Sequence, residues 1–254
     1  MPAAAPALKD KVVLITGAAR RIGAAMAQAF HAEGARVAVH YHRSAADAGR
    51  LVAAMNAERP ASAAAFGANL ADLAALQLLP AEVIGTLGAL DVLVNNASTF
   101  YPTPVGKITP EQFEDLVGTN LRAPLFLSQA AAPELRRRKG LILNIADIHA
   151  LRPLGRHAVY CAAKAALVML TQSLARELGP EIRVNAIAPG PVMWPENGVD
   201  EELRQRIVAR TALKRSGSAE DVARAAIFFA SSAPFVTGQV LAVDGGRLIG
   251  GEDR

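Results

Sequence analysis

Tyr160 and Lys164 lie four residues apart in the segment HAVYCAAK. On a helix, residues at this spacing lie one above the other on the same face. A free tyrosine has a pKa of about 10, which is too high for ready proton exchange near neutrality. A neighbouring ammonium stabilises the phenolate, so this spacing predicts a tyrosine with a lowered pKa that passes a proton to a reacting group. A core tyrosine beside an exposed lysine is the alternative for this segment taken alone.

A glycine-containing turn follows the first apolar run of the chain, in the segment TGAARRIG at 16–23. A turn of this kind that opens a helix offers backbone N–H groups and the positive end of the helix dipole to a pyrophosphate. Gly17 would permit the tight turn and Gly23 the close packing of helix on strand, while Arg21, beside Arg20, stands where a middle glycine is usual. A solvated basic turn is the alternative.

The segment HYHRS at 40–44 follows the second apolar run. In NAD-binding folds an acidic residue in this region accepts a hydrogen bond from the ribose 2′-hydroxyl. No Asp or Glu is present here, and Arg43 is suited to pair with a phosphate, with His42 and Ser44 as further donors. The segment therefore favours NADP(H) over NAD(H).

The segment NNAS at 95–98 ends another apolar run. Amides and small residues at the carboxyl end of a strand suit a site at the crevice of an open α/β sheet, although a capped turn explains them equally. We therefore predict that this segment borders the same site.

Short apolar runs alternate with helical patterns along the whole chain. Continuous apolarity over four to seven residues predicts strands that are buried on both faces, as in a parallel sheet. The runs are VVLIT (12–16), VAVHY (37–41), SAAAF (62–66), DVLVN (91–95), LILNIA (141–146), IRVNAIA (182–188) and QVLAV (239–243). Helices are predicted at 22–34, at 44–60 with a capping box of Ser44 and Asp47, and at 157–178. The alternation predicts a single doubly wound, Rossmann-type domain over 1–254, with 1–9 as a flexible tail.

The composition excludes several classes of protein. The chain has 254 residues, of which 52% are apolar, and this excludes a disordered chain. The single cysteine, Cys161, excludes a disulfide scaffold, and the five histidines have no metal-ligand spacing. No long uncharged apolar run and no secretory signal are found, so we expect a cytoplasmic protein with no membrane partner. The net charge of +4 and the RRRK run at 136–139 leave nucleic-acid binding as a weak alternative.

These motifs together resemble the short-chain dehydrogenase/reductase family over essentially the whole chain. The residues that carry the resemblance are the glycine turn, NNA, Asn120, the Tyr160–Lys164 pair, APGP at 188–191 and VTGQVLAVDGG at 236–246. The resemblance implies that Tyr160 is the proton donor and that Lys164 binds the nicotinamide ribose and tunes Tyr160. It implies that Asn120 holds a proton-relay water, and that the chain forms a homotetramer.

One departure from the family pattern concerns the strand before Tyr160. The family usually has a serine there that hydrogen-bonds a carbonyl oxygen, whereas this chain has Asp147 in the segment LILNIADIHA. A carboxylate would repel a developing alkoxide, so ordinary ketone reduction is disfavoured. Reduction of a C=N bond leaves a nitrogen that needs a proton, and a carboxylate accepts hydrogen bonds from an aminopyrimidine. A purely structural cap is the alternative role for Asp147.

The same departures resemble the pteridine reductase branch of the family. The resemblance rests on Arg21, HYHRS, ASTFYPTP at 97–104, the Asp147/Tyr160/Lys164 set and PGPVMWPE at 189–196. It implies that Phe100 stacks on the pterin face opposite the nicotinamide, and stacking of this kind suits a flat heterocycle. It further implies that Ser98 and Arg21 contact the pterin or the cofactor phosphates, and that Trp194 lines the pocket.

The leading hypothesis is an NADPH-dependent reductase that converts dihydropterins, such as dihydrobiopterin, dihydromonapterin or dihydrofolate, to their tetrahydro forms. The alternatives are a carbonyl or 3-oxoacyl thioester reductase and a non-catalytic NADP(H)-sensing protein. Asn69 stands where an aspartate commonly contacts adenine. The resemblance implies that the cofactor contacts Gly17, Arg20, Arg21, Ile22, Gly23, Tyr41, His42, Arg43, Ser44, Asn69, Leu70, Asn95, Ala97, Ser98, Tyr160, Lys164, Pro189, Gly190 and Val192.

Overall fold

A computed structural model describes residues 7–194 and 200–250. Seven parallel strands form one sheet in the order β3-β2-β1-β4-β5-β6-β7. The strands are β1 (Val12–Ile15), β2 (Arg36–Tyr41), β3 (Ala63–Gly67), β4 (Val92–Asn95), β5 (Leu141–Ile145), β6 (Arg183–Pro189) and β7 (Val240–Val243). This sheet confirms the predicted doubly wound fold, and every predicted strand lies within two residues of an observed one.

Helices cover both faces of the sheet. They are α1 (Arg21–Ala32), α2 (Ala45–Glu58), α3 (Leu73–Leu87), α4 (Pro110–Val117), α5 (Ala123–Arg138), α6 (Ala158–Leu178), α7 (Glu201–Ala209) and α8 (Ala219–Ser231). A π-helical segment, Gly118–Arg122, joins α4 to α5, and a single 3₁₀ turn, Ile148–Ala150, follows β5.

Alternate residues of the strands fill two separate layers of the core. In β1, Val13 and Ile15 pack on the face covered by α1 and α8, while Val12 and Leu14 pack on the face covered by α3 and α5. Successive side chains of a strand point to opposite faces, so a strand covered on both sides must be apolar throughout. This requirement explains the unbroken apolar runs of the five inner strands; the edge strands β3 and β7 are partly exposed, which corrects the prediction that every strand is buried on both faces.

The strand order places the carboxyl ends of β1 and β4 side by side. β1 pairs with β2 on one side and with β4 on the other, and the chain leaves these two edges in opposite directions. The loops after β1 and β4 therefore diverge and leave a crevice between them. Open α/β sheets bind their ligands in a crevice of this kind. The loops that follow β1, β4, β5 and β6 all open onto this edge.

Two local predictions are corrected by the structure. Residues 7–9 are not part of a flexible tail, because Leu8 is buried in the core and its N–H donates to Glu33 O at 3.0 Å. The capping box at the start of α2 does not form: Ser44 makes no side-chain cap bond, and Asp47 pairs with Arg50 instead. The backbone of Ser44 is not extended there, so its hydroxyl is not directed at the first turn of the helix.

The basic run at the end of α5 has a structural role. Arg138 Nε and Nη2 donate to the two carboxylate oxygens of Asp91 at 3.0 and 3.2 Å, and Lys11 Nζ donates to the same carboxylate at 3.1 Å. Burial alone would raise the pKa of Asp91, but these hydrogen bonds and that of the Val12 N–H hold it below its usual value. Arg138 of this run therefore joins the end of α5 to the start of β4, at the edge of the sheet opposite the ligand-binding crevice.

Helix α6 is long and apolar enough, by length and composition alone, to cross a membrane. The sequence analysis expected no such segment. In the fold, 44% of the 18-residue window is buried, and α6 packs along β6. Because it also carries the buried Lys164, we interpret α6 as a core helix of this domain.

Candidate active site

The glycine turn after β1 has the geometry that the sequence predicts. Gly17 has φ of 61°, and a Cβ at Gly23 would lie 2.3 Å from Gly17 O, so no larger residue fits there. Arg21 also has positive φ, 56°, in the left-handed region that non-glycine residues seldom adopt. The turn thus keeps a glycine-like backbone at Arg21 while placing a guanidinium at the first residue of α1.

His40 holds this turn against β2, a role that the sequence analysis missed. Its Nδ1 accepts from the Gly17 N–H at 3.1 Å, and its Nε2 lies 3.1 Å from Ala68 O, which makes Nε2 the protonated nitrogen. Burial lowers the pKa of His40 to about 4, and the hydrogen bond to Ala68 O offsets only part of this shift. The signal available in the sequence was a histidine inside an otherwise apolar strand.

We expect His40 to reduce the stability of the fold as the pH falls from 6.5 towards 4. In this window the unfolded chain binds a proton that the folded chain does not, so acid favours unfolding. The shift from 6.5 to about 4 corresponds to ~3 kcal/mol at most. Urea unfolding of the parent and of His40→Asn at about pH 7 and about pH 4 measures this contribution. The loss on acidification should be smaller in the variant, and equal losses would assign it to other groups.

The side chains of the two asparagines at the end of β4 hold parts of the fold together. Asn95 is buried, and its Nδ2 donates to Asn144 Oδ1 at 2.8 Å and to Ser128 Oγ at 3.2 Å. Its side chain therefore joins β4 to β5 and α5, and its predicted contact with the cofactor stays a prediction. Asn96 instead fastens the glycine turn, because its Nδ2 donates to Thr16 O at 2.8 Å and to Gly17 O at 3.1 Å.

Asn120 lies in the π-helical segment and is fully buried. Its Nδ2 donates to Leu116 O and Thr99 O, both at 2.9 Å, and its Oδ1 accepts from Ser98 Oγ at 2.7 Å. π-Helical turns often occur at functional sites, since the extra residue redirects a side chain. Here the turn aims Asn120 at the loop after β4 and fixes the Ser98 hydroxyl; its predicted contact with a relay water stays a prediction.

Tyr160 and Asp147 form the centre of the site. The phenol of Tyr160 donates to Asp147 Oδ2 at 2.7 Å, and Asp147 Oδ1 accepts from the His149 N–H at 2.8 Å. Asp147 is therefore both the cap of the 3₁₀ turn and the partner of Tyr160. Each carboxylate oxygen has two lone pairs, so both oxygens can accept a further hydrogen bond from a substrate.

The pKa of Tyr160 differs from the sequence-based prediction in its direction. Burial raises it first, and the charge and hydrogen bond of Asp147 raise it further, while the Ser98 hydroxyl lowers it in part. The expected lowering by Lys164 does not dominate, because the carboxylate bonds the phenol directly while the ammonium lies 5.8 Å from the ring centroid. Tyr160 is thus held as a neutral phenol that keeps its proton near neutral pH.

Lys164 lies beneath Tyr160 on α6, as the spacing predicts. Its Nζ donates to Ile145 O at 2.8 Å, and the side chain is buried. Burial lowers the pKa of Lys164 to about 8, and the charge of Asp147 opposes that shift. An ammonium has three donors, so two remain for a ligand such as a ribose hydroxyl.

Phe100 and His157 form an aromatic wall beside Tyr160. The rings of Phe100 and His157 stack with centroids 4.7 Å apart and an angle of 10° between their planes, and Phe100 meets Tyr160 edge-on at 4.8 Å. His157 Nδ1 lies 2.8 Å from Gly155 O. No local pattern in the sequence marks the contact of His157 with Phe100.

Trp194 begins the segment that leads from the site to α7. Its carbonyl oxygen accepts from Arg21 Nη2 at 3.2 Å, and the Arg204 guanidinium lies 5.5 Å from its ring centroid. Arg21 therefore links the glycine turn to this loop. The predicted substrate contacts of Arg21 and Trp194 stay predictions, and the neighbouring residues 195 and 196 of the PGPVMWPE motif lie outside the described residues.

The remaining predicted cofactor residues surround the same edge of the sheet. His42 and Arg43 are exposed after β2, Tyr41 covers Gly67, and Ser44 precedes α2. Two further predicted cofactor residues make contacts within the protein. Leu70 packs in the core, and Asn69 Oδ1 accepts a hydrogen bond from the Ala71 N–H at 3.0 Å, which occupies one of its lone pairs. The others lie beside the glycine turn, at the end of β6 or just after it: Arg20, Ile22, Ala97, Pro189, Gly190 and Val192.

The loop after β6 approaches β7 closely. The N–H of Gly190 donates to Val243 O at 2.9 Å, and a Cβ at Gly190 would lie 2.7 Å from Asp244. Val192 is buried in the core beyond this glycine. In residues 7–194 and 200–250, no group of three or more His, Cys, Asp or Glu side chains is placed to hold a metal ion.

Comparison with known proteins gives the same family for the whole domain. A family model described as Enoyl-(Acyl carrier protein) reductase matches residues 17–247. Pteridine reductase 1 of Leishmania tarentolae is 38% identical over 92% of this chain and 95% of its own length. The chain belongs to the short-chain dehydrogenase/reductase family. This confirms the resemblance found in the sequence, and the protein is an oxidoreductase of this family.

Other members of the short-chain dehydrogenase/reductase family are similarly close. The 3-oxoacyl-acyl-carrier-protein reductase FabG of Staphylococcus aureus is 35% identical over 94% of this chain and 98% of its own. L-rhamnose 1-dehydrogenase of Azotobacter vinelandii is 39% identical over 95% of this chain and 98% of its own. The structure of a blue fluorescent protein from a metagenomic library in complex with NADPH has a TM-score of 0.89 at 36% identity, covering 94% of this chain and 98% of its own. Identity alone therefore does not separate the possible substrates.

Proposed function

We propose that this protein is an NADPH-dependent pteridine reductase that reduces a C=N bond of dihydropterins to give tetrahydropterins. The observation that carries the proposal is the 2.7 Å hydrogen bond from Tyr160 to Asp147. A carboxylate at this position accepts N–H groups of an aminopyrimidine and disfavours the alkoxide that carbonyl reduction would form. Pteridine reductase 1 of Leishmania tarentolae, at 38% identity, supports the same substrate class.

The aromatic wall supports a flat heterocyclic substrate. Phe100 is half exposed although it stacks on His157, so one of its faces is available to a ring. Offset stacking on such a face stabilises a planar ligand. Ser98 and Asp147, on the loops after β4 and β5, supply polar contacts at the edge of such a ring.

The residues present fit NADPH. Gly17 and Gly23 have no side chains, so a phosphate can come close to the backbone of the turn. Helix α1 begins at this turn and directs the positive end of its dipole towards such a phosphate. Arg43, with no acidic residue in its segment, suits a 2′-phosphate. Lys164, with donors to spare, suits the nicotinamide ribose. When bound, the cofactor supplies a hydride to the substrate.

The chain's own residues manage the proton. Reduction of a C=N bond adds a hydride to carbon and a proton to nitrogen, and Tyr160 holds a phenolic proton at the site because its pKa is raised. Asp147 orients that phenol and holds the substrate's N–H groups.

The proposal is tested by following NADPH consumption with a panel of substrates. We expect turnover of dihydrobiopterin, dihydromonapterin or dihydrofolate, and little turnover of ketones or 3-oxoacyl thioesters. The similarity to 3-oxoacyl-acyl-carrier-protein reductase makes the thioester the second candidate. Turnover of the thioester without any dihydropterin turnover would overturn the proposal, and no turnover of any kind would favour an NADP(H)-sensing protein.

The proposal also covers the oligomeric state of the protein and its place in the cell. The family resemblance implies a homotetramer, and we place it in the cytoplasm; exposed apolar side chains on α4 and α6, such as Phe113 and Met169, offer surfaces that another subunit would cover. Light scattering of the purified protein tests the tetramer, and a monomeric mass would contradict it.

A further inference from the structure

Two segments that lie far apart in the sequence meet at the aromatic wall. Phe100 belongs to the loop after β4, and His157 is the residue that immediately precedes α6, the helix of Tyr160. Between them in the chain lie α4, the π-helical segment, α5 and β5. Their stacked rings therefore join the loop that carries the open aromatic face to the helix that carries the phenol.

Backbone contacts join the same two segments. The N–H of Thr103 donates to Arg156 O at 2.6 Å, and Thr103 and His157 form an isolated parallel β-bridge. Thr103 is fully buried, so water does not compete for this hydrogen bond. The loop is thus fastened to the start of α6 at a point three residues beyond Phe100, and side-chain contacts decide where the Phe100 ring lies.

The backbone is strained at this junction. Arg156 has φ of 64°, in the left-handed region that non-glycine residues seldom adopt. Strained residues of this kind persist where the surrounding structure holds them, and they cluster at ligand-binding sites. The strained residue here is the one whose carbonyl accepts from Thr103 and whose successor, His157, stacks on Phe100.

The ring of His157 is held on both sides. Its Nδ1 lies 2.8 Å from Gly155 O, and because a carbonyl only accepts, Nδ1 is the protonated nitrogen. The carbonyl of His157 accepts from the Cys161 N–H at 2.9 Å, in the first turn of α6. A ring that is already fixed in this way loses little further conformational entropy when Phe100 stacks on it.

The stacking leaves Phe100 in one orientation relative to the reacting groups. One face of Phe100 lies against His157 with centroids 4.7 Å apart, and the ring meets Tyr160 at 78° with centroids 4.8 Å apart. Phe100 is nevertheless 51% exposed, so its other face is open. Any rotation of the ring away from His157 would also move this open face relative to the phenol of Tyr160.

We propose that His157 is a positioning residue of the substrate site. Its ring supports Phe100 from behind and so holds the face on which a flat substrate ring stacks beside Tyr160. The inference rests on the proposed function, because it takes the dihydropterin to stack on Phe100. His157 acts through Phe100, so the planar shape of its side chain matters and its imidazole nitrogens do not.

The test uses two variants that separate the ring of His157 from its hydrogen bond. His157→Asn removes the ring but keeps a donor that can reach Gly155 O, and asparagine is favoured at the residue that precedes a helix. His157→Phe keeps a ring that can stack and removes the donor, so it is the matched control. The measurements are kcat and KM for the dihydropterin that the parent reduces fastest, and KM for NADPH.

The two variants should differ in KM for the dihydropterin. An aromatic pair contributes a factor of about 2 to 12, so we expect this KM to rise about 5-fold in His157→Asn and to stay within about twofold in His157→Phe. The kcat values and KM for NADPH should stay close to those of the parent, because Tyr160 and Asp147 are unchanged. A merely structural role would lower the folded fraction, and with it the apparent kcat, without changing KM.

A double-mutant cycle with Phe100→Leu decides whether His157 acts through Phe100. In the Phe100→Leu background, His157→Asn should change KM by less than about twofold, because the ring that it supports is absent. An equal rise in both backgrounds would overturn the inference. An unchanged KM in His157→Asn, or an equal rise in His157→Phe, would overturn it as well.

If the parent reduces no dihydropterin at all, the proposed function fails by itself. Urea unfolding of the parent, the two single variants and the double variant of the cycle then tests the contact without a substrate. A larger drop of the unfolding midpoint on His157→Asn in the parent than in the Phe100→Leu background would show that His157 supports Phe100. Equal drops in the two backgrounds would refute the inference.

Discussion

Replacing Tyr160 by phenylalanine should abolish reduction while leaving the fold and the cofactor site in place. The change removes the proton donor at the site, and a positioned acid of this kind contributes ~10²–10⁴-fold to the rate. It also removes the hydrogen bond to Asp147, at a cost of ~1 kcal/mol of stability. We therefore expect kcat to fall by at least about 100-fold, with NADPH affinity close to that of the parent protein.

The measurements for this variant are the rate of NADPH consumption and the binding of NADPH by fluorescence. Tyr101→Phe is the matched control, because it deletes a phenolic hydroxyl that bonds Asp115 and not Asp147. Its activity should equal that of the parent. A Tyr160→Phe enzyme that keeps more than a tenth of the parent rate would remove Tyr160 from the proposed chemistry.

Replacing Asp147 by serine should exchange one substrate class for another. A serine hydroxyl donates a hydrogen bond to a carbonyl oxygen, and a single donor of this kind is worth ~10²–10³-fold in rate. We expect ketone turnover to rise by about two orders of magnitude and dihydropterin turnover to fall by a similar factor. The substrate panel described above measures both changes, and a parallel loss of both activities would mean that Asp147 is only a structural cap.

The Asp147→Asn variant separates the charge of this residue from its size. The carboxylate raises the pKa of Tyr160, so its removal should lower that pKa. The protonated donor is then lost at a lower pH, and the basic limb of the rate profile should move to lower pH. A basic limb that stays in place would show that another group controls the activity in that range.

The strands and the placing of Tyr160 beside Lys164 could be predicted from local pattern. Unbroken apolar runs of four to seven residues identify strands covered on both faces, and burial is what such a run requires. The spacing of Tyr160 and Lys164 places them on one face of α6 for the same geometrical reason. The need for glycine at position 23 also follows from its place between a strand and a helix.

Other features depended on contacts between distant elements. Asn95 and Asn96 are adjacent in the sequence, yet one joins the interior of the sheet and the other fastens the glycine turn. His40 bonds Gly17, and His157 stacks on Phe100, without any sequence pattern to mark either contact. A side chain's partner across the fold is set by strand order and helix packing, which residue spacing alone does not encode.

The sequence by itself determined the family and the doubly wound sheet, and it singled out the residues that we propose make up the reacting centre. These follow from periodicity and from motifs whose parts lie close together in the chain. Only the tertiary structure decided the electrostatics of that centre, because a pKa depends on burial and on the nearest charge. Asp147, at the end of β5, is bonded to Tyr160 while Lys164 is not, so the phenol that the spacing predicted to be acidified is held as a neutral donor.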